Sequence, residues 1–186
     1  MNVMIIGAGG IGSYFVNHIS RLLELKQIND VITCYDDDIV EKKNMLYQNF
    51  DTGDIDSLKV DALSYRYPNI QFKNQRLNIE LLQKLKNDFI IICADNNQIR
   101  REVFETGIPF LDSRANGKTV GIFSSRTENY LSTMDTSTKS SSCQNPFQIE
   151  KKEIEYGNVV VAAMLAQSFL SYRRNNRLPD QIIFNF

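Results

Sequence analysis

Apolar and polar positions along the chain form blocks that predict strands and helices in turn. The apolar run at residues 3–6 stops at Gly7, and apolar residues then recur at helical spacing, at Ile11, Phe15, Ile19, Leu22 and Leu23. A second β-rich run at residues 31–35 ends at three consecutive aspartates. A strand, a glycine turn, a helix and a second strand in this order predict a βαβ unit.

The same alternation continues to the end of the chain. Helices are predicted at residues 57–67, 79–85 and 158–171, and strands at residues 70–72, 89–93, 110–112, 119–124 and 182–186. The run at residues 89–93 is wholly apolar, which is typical of a strand buried on both faces of a parallel sheet. Residues 128–150 show no sustained periodicity and are predicted to form a polar loop. We therefore expect one domain over residues 1–186, with an α/β, Rossmann-like fold that has a mostly parallel central sheet, helices on both faces and additional C-terminal strands.

Length and charge limit the classes of partner. The 186 residues are 42% hydrophobic, enough for a single buried core, and the net charge of −1 comes from interleaved acids and bases. Such a distribution gives no electrostatic footprint for nucleic acid or for a membrane surface. No apolar run is long enough to span a bilayer, and the first residues already read as a strand rather than a signal peptide. We expect a cytoplasmic protein without nucleic-acid or membrane partners.

The glycine turn after the first strand is a candidate phosphate site. Its glycines are Gly7, Gly9, Gly10 and Gly12. Unpaired N–H groups and the positive end of a helix dipole converge at such a strand-to-helix junction, and side chains there would obstruct a pyrophosphate. The GxGxxG spacing is a weak signal alone, and the surrounding βαβ pattern strengthens it.

Two acidic residues follow strands of the predicted sheet. Asp36 stands at the end of the second strand, where an acid holds a ribose hydroxyl in this type of fold, and Asp95 follows the apolar run at residues 89–93. Because the carboxyl ends of parallel strands meet at one edge, we expect Gly7, Asp36 and Asp95 to share that edge.

The three cysteines and the single histidine give little catalytic signal. No CxxC pair is present, which argues against a zinc site and a disulfide framework. Cys34 and Cys93 lie in apolar runs and are expected to be small buried residues. Cys143 lies in the polar loop and is a candidate nucleophile or an ordinary loop cysteine. His18 is expected to be an ordinary helix residue beside the apolar stripe.

Three segments together resemble the ThiF/MoeB-type proteins of the ubiquitin-activating superfamily. They are DDDIVEKKNMLYQNF at residues 36–50, DTGDIDSLKVDAL at residues 51–63 and CADNNQIR at residues 93–100. In order, they are similar to the family's D-x-D-x-V, N-x-x-R-Q, downstream lysine and D-N-x-x-x-R motifs. The likeness is greatest to the short ThiF proteins of PRTRC-type systems.

The resemblance implies a role for each matching residue. The four glycines would cradle the phosphates of ATP, and Asp36 with Asp38 would belong to the nucleotide site, Asp36 holding the ribose. Asn44 and Gln48 would line the phosphate region, Lys59 would bind phosphate, Asp95 would position Mg²⁺, and Arg100 would be structural. Cys143 would match the loop cysteine that accepts an acyl group in several relatives.

The activity that the resemblance implies is ATP-dependent adenylation of the C-terminal carboxylate of a ubiquitin-like or sulfur-carrier protein, usually one that ends in Gly-Gly. It also implies that the protein is a homodimer. This chain has Tyr47 where the family motif has arginine. Two alternatives remain open. One is a nucleotide-binding scaffold without chemistry, favoured by Tyr47. The other is an NAD-dependent oxidoreductase, which the glycine turn and Asp36 alone would also fit.

Overall fold

The structure, a computed structural model, describes residues 1–134 and 146–186. Within these residues, seven strands form one sheet: β1 (Asn2–Ile6), β2 (Val31–Asp36), β3 (Gln71–Asn74), β4 (Phe89–Ile92), β5 (Phe110–Asn116), β6 (Thr119–Ser124) and β7 (Gln181–Asn185). Their order across the sheet is β3-β2-β1-β4-β5-β6-β7. The first five strands in this order run parallel, and β6 and β7 run antiparallel to their neighbours.

Helices connect and cover the strands. They are α1 (Gly12–Glu24), α2 (Lys59–Arg66), α3 (Ile79–Lys84), α4 (Asn97–Glu105), α5 (Pro146–Lys151) and α6 (Gly157–Asn175). Short 3-10 helices occur at Lys42–Leu46, Thr52–Asp54 and Tyr130–Thr133. The order of strands makes β1 the centre of the parallel part, so that the glycine turn at its carboxyl end lies between the ends of β2 and β4.

Two apolar cores lie on opposite faces of the sheet because side chains alternate along each strand. Val3 and Ile5 of β1 face one core, which α1, α2 and α6 cover with residues that include Phe15, Leu63, Leu165 and Phe169. Met4 and Ile6 face the other core, which α3 and α4 cover with Leu82, Ile99 and Val103. Each fully buried large apolar side chain stabilises the fold by about 1.5–3 kcal/mol.

The predicted fold class is confirmed: the sheet is mostly parallel, and helices lie on both faces. Strand β5 is longer than the predicted 110–112, because its polar second half pairs with β6 in a hairpin that turns at Gly117. The segment predicted as a polar loop, residues 128–150, contains the 3-10 helix at Tyr130–Thr133 and most of α5. Both are too short to give a periodic pattern. In the described part of the chain, no helix is long and apolar enough to cross a membrane.

Candidate functional site

A cleft of about 360 Å³ opens at the carboxyl edge of the parallel strands. Sequence prediction placed ten residues of the described chain in a nucleotide site, and nine of them line this cleft: Gly7, Gly9, Gly10, Asp36, Asp38, Asn44, Gln48, Lys59 and Asp95. Gly12 lies beneath the turn, outside the lining. Cys143 lies outside the described residues, so its predicted role stays a prediction.

The glycines of the turn differ in whether neighbouring protein atoms leave space for a side chain. Gly7 has φ +96°, and a Cβ there would approach the backbone N of Ala94 to 3.0 Å. A Cβ on Gly12 would lie only 1.9 Å from the carbonyl oxygen of Gly7. A Cβ on Gly9 would meet no protein atom within 4 Å, although Gly9 lines the cleft. The chain's own packing therefore requires glycine at positions 7 and 12, whereas Gly9 keeps open a space that a ligand can use.

Backbone N–H groups of this turn are available to an anion. Those of Gly9 and Gly10 make no hydrogen bond within the described residues, whereas Ala8 donates to Asp36 Oδ2 at 2.6 Å. The turn leads directly into α1, where the N–H of Ser13 already donates to the carbonyl oxygen of Gly9 at 3.0 Å, whereas that of Gly12 makes no hydrogen bond within the described residues. Free N–H groups beside a helix N-terminus are the elements of a phosphate-binding turn.

Asp36 connects the glycine turn to the end of β2. Its two carboxylate oxygens accept from the N–H groups of Ala8 and Asp38, and each keeps a lone pair for a ligand hydroxyl. Burial raises the pKa of Asp36, and the nearby Lys59 charge and these two hydrogen bonds oppose that increase. The carboxylate therefore lies in the cleft with acceptor capacity left for a ligand, and its role in holding a ribose stays a prediction.

Lys59 carries a charge that is almost completely buried. It is the first residue of α2, with 8% of its side chain exposed, and its Nζ lies 2.7 Å from Asp38 Oδ2. Asp38 is two-thirds exposed, so this ion pair is partly screened by water. A phosphate oxygen that enters the cleft can replace Asp38 as the partner of Lys59 at little cost.

The segment that begins with the 3-10 helix at Lys42–Leu46 forms one wall of the cleft. Asn44 is buried, and its Oδ1 accepts from the N–H of Glu41 at 2.8 Å, which fixes the start of this helix. Gln48 is also buried, and its Oε1 has no hydrogen-bond partner among the described residues. Tyr47 lines the cleft and is 9% exposed, so that a buried phenol stands at the position where the resemblance implies an arginine.

Arg100 holds the turn that carries Asp95. Its guanidinium donates to the carbonyl oxygen of Ala94 at 2.6 Å and to Asp112 Oδ1 at 3.0 Å. Burial lowers the pKa of Arg100, but Asp112 opposes this effect, and the net shift is upward. Asp112 has no exposed surface and also accepts from Tyr130. This buried network fixes the turn, and Asp95 projects from it as an exposed carboxylate.

The donors present fit a magnesium ion that is bound together with phosphates. No group of three or more His, Cys, Asp or Glu that could hold a metal occurs in the part of the chain that the structure describes. Mg²⁺ usually binds one or two carboxylates and completes its shell with water and substrate phosphates. Asp95 in the cleft can supply such a carboxylate.

Negative charge predominates in the lining of the cleft. Its carboxylates are Asp36, Asp37, Asp38, Glu41 and Asp95, and its cations are Lys43, Lys59 and Arg76. Lys43 is paired with Glu41 at 2.7 Å, and Lys59 is paired with Asp38. A polyanionic ligand would therefore be repelled by the excess of carboxylates, and a bound cation would reduce that repulsion.

Two residues of the site were missed at the sequence level. Arg76 follows β3 and lines the cleft, with no ion pair or hydrogen bond to the described residues. Asn158, the second residue of α6, donates from its side chain to the carbonyl oxygens of Gly10 and Tyr47. No sequence signal marks either residue, because both depend on contacts between segments that are distant in the chain.

Comparison with known proteins identifies a family and several structures of similar fold. The ThiF family model matches residues 1–181. Two similar solved structures are E. coli MccB with MccA-N7isoAsn, at 18% identity and TM-score 0.69, and E. coli MccB with ATP, at 17% identity and TM-score 0.66. The structure of PaaA is also similar, at 17% identity and TM-score 0.67. All of this chain is covered in each case, together with 61%, 60% and 60% of those chains, respectively.

This chain thus spans about three fifths of the length of these neighbours. No curated protein matches it in sequence. The family model, in contrast, extends over nearly the whole chain and includes the glycine turn, both strand-end acids and Lys59. The chain belongs to the ThiF family.

Proposed function

We propose that this protein is an ATP-dependent adenylyltransferase that activates a carboxylate by transferring AMP to it. The observation that carries the proposal is the cleft itself, in which free N–H groups of the glycine turn face the same space as Asp36, Lys59 and Asp95. Membership of the ThiF family supports it. Solved structures of the neighbour MccB with ATP, and with AMPCPP and MccA, support a nucleotide as the ligand.

The chemistry explains why these residue types are needed. A carboxylate oxygen attacks the α-phosphorus, a new P–O bond forms, and the bond to the β-phosphate breaks so that pyrophosphate leaves. The nucleophile is already an anion, so no residue has to remove a proton. The main barrier is the repulsion between two anions, which cationic and N–H groups lower when they are fixed in place before the reaction.

Each residue has a distinct part in this proposal. Asp36 binds the ribose, the turn N–H groups and Lys59 bind phosphate oxygens, and Asn44 and Gln48 complete the wall beside them. Asp95 would hold Mg²⁺, which would neutralise charge on the phosphates. The excess of carboxylates in the cleft favours this assignment, because a polyanion without its metal would be repelled.

The substrate and assembly are proposals from the resemblance. We assign as substrate the C-terminal carboxylate of a ubiquitin-like or sulfur-carrier protein with a Gly-Gly type tail, acted on by a cytoplasmic homodimer of the short PRTRC-like type. Structures of the neighbour MccB have been solved with MccA, which supports a second partner besides the nucleotide. In the same scheme, the thiolate of Cys143 attacks the acyl carbonyl carbon of the adenylate, so that a thioester C–S bond forms, the acyl C–O bond breaks and AMP leaves.

The decisive assay is exchange of labelled pyrophosphate into ATP in the presence of Mg²⁺ and candidate carrier proteins. The wild-type protein is expected to exchange, and Asp95→Asn and Lys59→Gln are each expected to reduce the rate by about 10² or more. Lys42→Gln is the matched control, because Lys42 is exposed and outside the cleft lining. Equal rates in Lys59→Gln and Lys42→Gln would refute the assigned role of Lys59.

Tyr47 favours one second candidate, a scaffold that binds ATP without turnover. Calorimetry with MgATP and with NAD separates these two functions, which both bind MgATP, from a nicotinamide oxidoreductase, which prefers NAD. Pyrophosphate exchange separates the enzyme from the scaffold. MgATP binding without exchange, with every carrier tested, would support the scaffold. A preference for NAD would reject both nucleotide-triphosphate functions.

A further inference from the structure

Asn158 lies outside the cleft lining and makes hydrogen bonds to two segments that line the cleft. It is 1% exposed, and its Nδ2 donates to the carbonyl oxygen of Gly10 at 3.1 Å and to that of Tyr47. Gly10 belongs to the glycine turn, and Tyr47 follows the 3-10 helix at Lys42–Leu46. One buried side chain therefore sets the spacing of two cleft segments that are distant from it in sequence.

The chemistry of these contacts requires an amide nitrogen. Nδ2 has two N–H groups, and two carbonyl oxygens face it, so both donors of Asn158 are used. An oxygen atom at this place would face two other acceptors. Aspartate has nearly the same shape as asparagine but cannot make either hydrogen bond when ionised.

The start of α6 is itself fixed, so Asn158 acts from a rigid support. A Cβ on Gly157 would lie 2.6 Å from the carbonyl oxygen of Gly117 and 3.0 Å from Val120 Cγ1, which shows how closely α6 presses on the β5–β6 hairpin. The helix also packs along α1. Displacement of Asn158 away from the glycine turn would therefore require the start of α6 to move relative to the sheet.

The contact with Gly10 also determines the direction of a peptide group. A trans peptide is planar, and its C=O and N–H point in opposite directions. Because the Gly10 oxygen points to Asn158, which lies outside the cleft lining, the N–H of Ile11 points away from Asn158. A carbonyl oxygen that turned instead toward a phosphate would repel it.

We infer that Asn158 is a positioning residue for triphosphate binding, which keeps the Gly10 carbonyl turned away from the ligand and fixes the glycine turn against the Tyr47 segment. This inference rests on the proposed function, since it assumes a nucleotide whose phosphates lie along the turn. It gives Asn158 no contact with the ligand itself.

The test compares ligands that do and do not carry phosphates. Asn158→Asp and Asn158→Ala are measured with MgATP by calorimetry and with adenosine by ligand-observed NMR, beside a thermal unfolding curve for each protein. Asn175→Asp is the control, because it makes the same change at the exposed opposite end of α6. We expect the Kd for MgATP to rise about tenfold or more in Asn158→Asp, and less in Asn158→Ala, while the Kd for adenosine changes less than about twofold.

The outcomes distinguish the inference from the function on which it rests. Unchanged MgATP affinity in both Asn158 variants, or an equal loss for MgATP and adenosine, would overturn the positioning role. If Asn158→Asp does not fold, Asn158→Ala decides, and failure of both to fold would show that Asn158 serves only the fold. Absence of MgATP binding by the wild-type protein would instead reject the proposed function, and the inference with it.

Discussion

Alanine substitutions at Gly9 and Gly12 separate the needs of the fold from the needs of the ligand. A methyl group on Gly9 meets no protein atom within 4 Å, and Gly9 does not have a left-handed backbone. Its effect on the free energy of unfolding should therefore lie within about 0.5 kcal/mol, or should be slightly stabilising through the unfolded chain. The same methyl group on Gly12 would overlap the Gly7 oxygen at 1.9 Å.

The backbone around Gly12 must move to relieve this overlap, because a carbonyl oxygen cannot rotate away as a side chain can. We expect a loss of about 3 kcal/mol or more, at the upper end of the cost of overpacking. In a domain of this size, such a loss lowers the midpoint of thermal unfolding by roughly 6–12 °C. Circular dichroism measures this midpoint for both variants.

Gly12→Ala should affect stability more than Gly9→Ala does, whereas Gly9→Ala should affect the affinity for MgATP more than its own stability. Gly9→Ala keeps the fold but fills the space next to the free N–H groups, so its Kd for MgATP should rise at least about tenfold, equivalent to 1.4 kcal/mol. Calorimetry on the folded protein gives this value. Wild-type affinity for MgATP in Gly9→Ala would refute the placement of phosphates along the turn, and an unchanged midpoint in Gly12→Ala would refute the close approach to Gly7.

Three further predictions follow from the buried polar groups. Asp112→Asn leaves the buried Arg100 without its counter-charge, so thermal unfolding should show a loss of about 3–5 kcal/mol, against a change within about 0.5 kcal/mol for the exposed control Glu105→Gln. Burial lowers the pKa of His18 below its ordinary value of 6.5, so the folded state resists protonation, and stability should fall as the pH decreases below about 6.5. His18→Gln should make the unfolding free energy less dependent on pH between about 7 and 5, and an identical pH dependence would contradict this. Tyr47→Arg should raise pyrophosphate exchange by about 10² or more if an arginine is the missing part, whereas Tyr47→Phe should leave the rate unchanged.

The parallel core was predictable because local patterns reflect it directly. The runs that became β1, β2 and β4 are mostly apolar, and each has a glycine or an aspartate at its end or within the next three residues. A glycine turn next to a helix has few alternative structures. Strand β5 was only partly predicted. Its Ser113 and Arg114 are polar, and they become part of a strand because of pairing with β6 rather than through their own preference.

Most residues that line the cleft were also predictable, since the ends of β1, β2 and β4 lie together at one edge of the sheet. The hydrogen bonds and ion pairs within the site were not predictable. Arg100 was expected to be structural, but the sequence contains no sign that this residue of α4 pairs with Asp112 of β5. Three other features likewise depend on distances between segments. They are the ion pair of Lys59 with Asp38, the position of Arg76 in the cleft lining and the hydrogen bonds of Asn158 to Gly10 and Tyr47.

The sequence by itself determined the succession of strands and helices along the chain, the glycine turn and the acids at strand ends. Spacing along the chain is enough to specify each of them. Only the tertiary structure decided that Gly12 is required by the Gly7 carbonyl while Gly9 leaves room for a ligand, and that Asn158 holds the turn in place. The physical reason is that a sequence motif specifies only residues that are near one another in the chain. Steric exclusion and hydrogen bonding act between atoms that come together only when the sheet has formed.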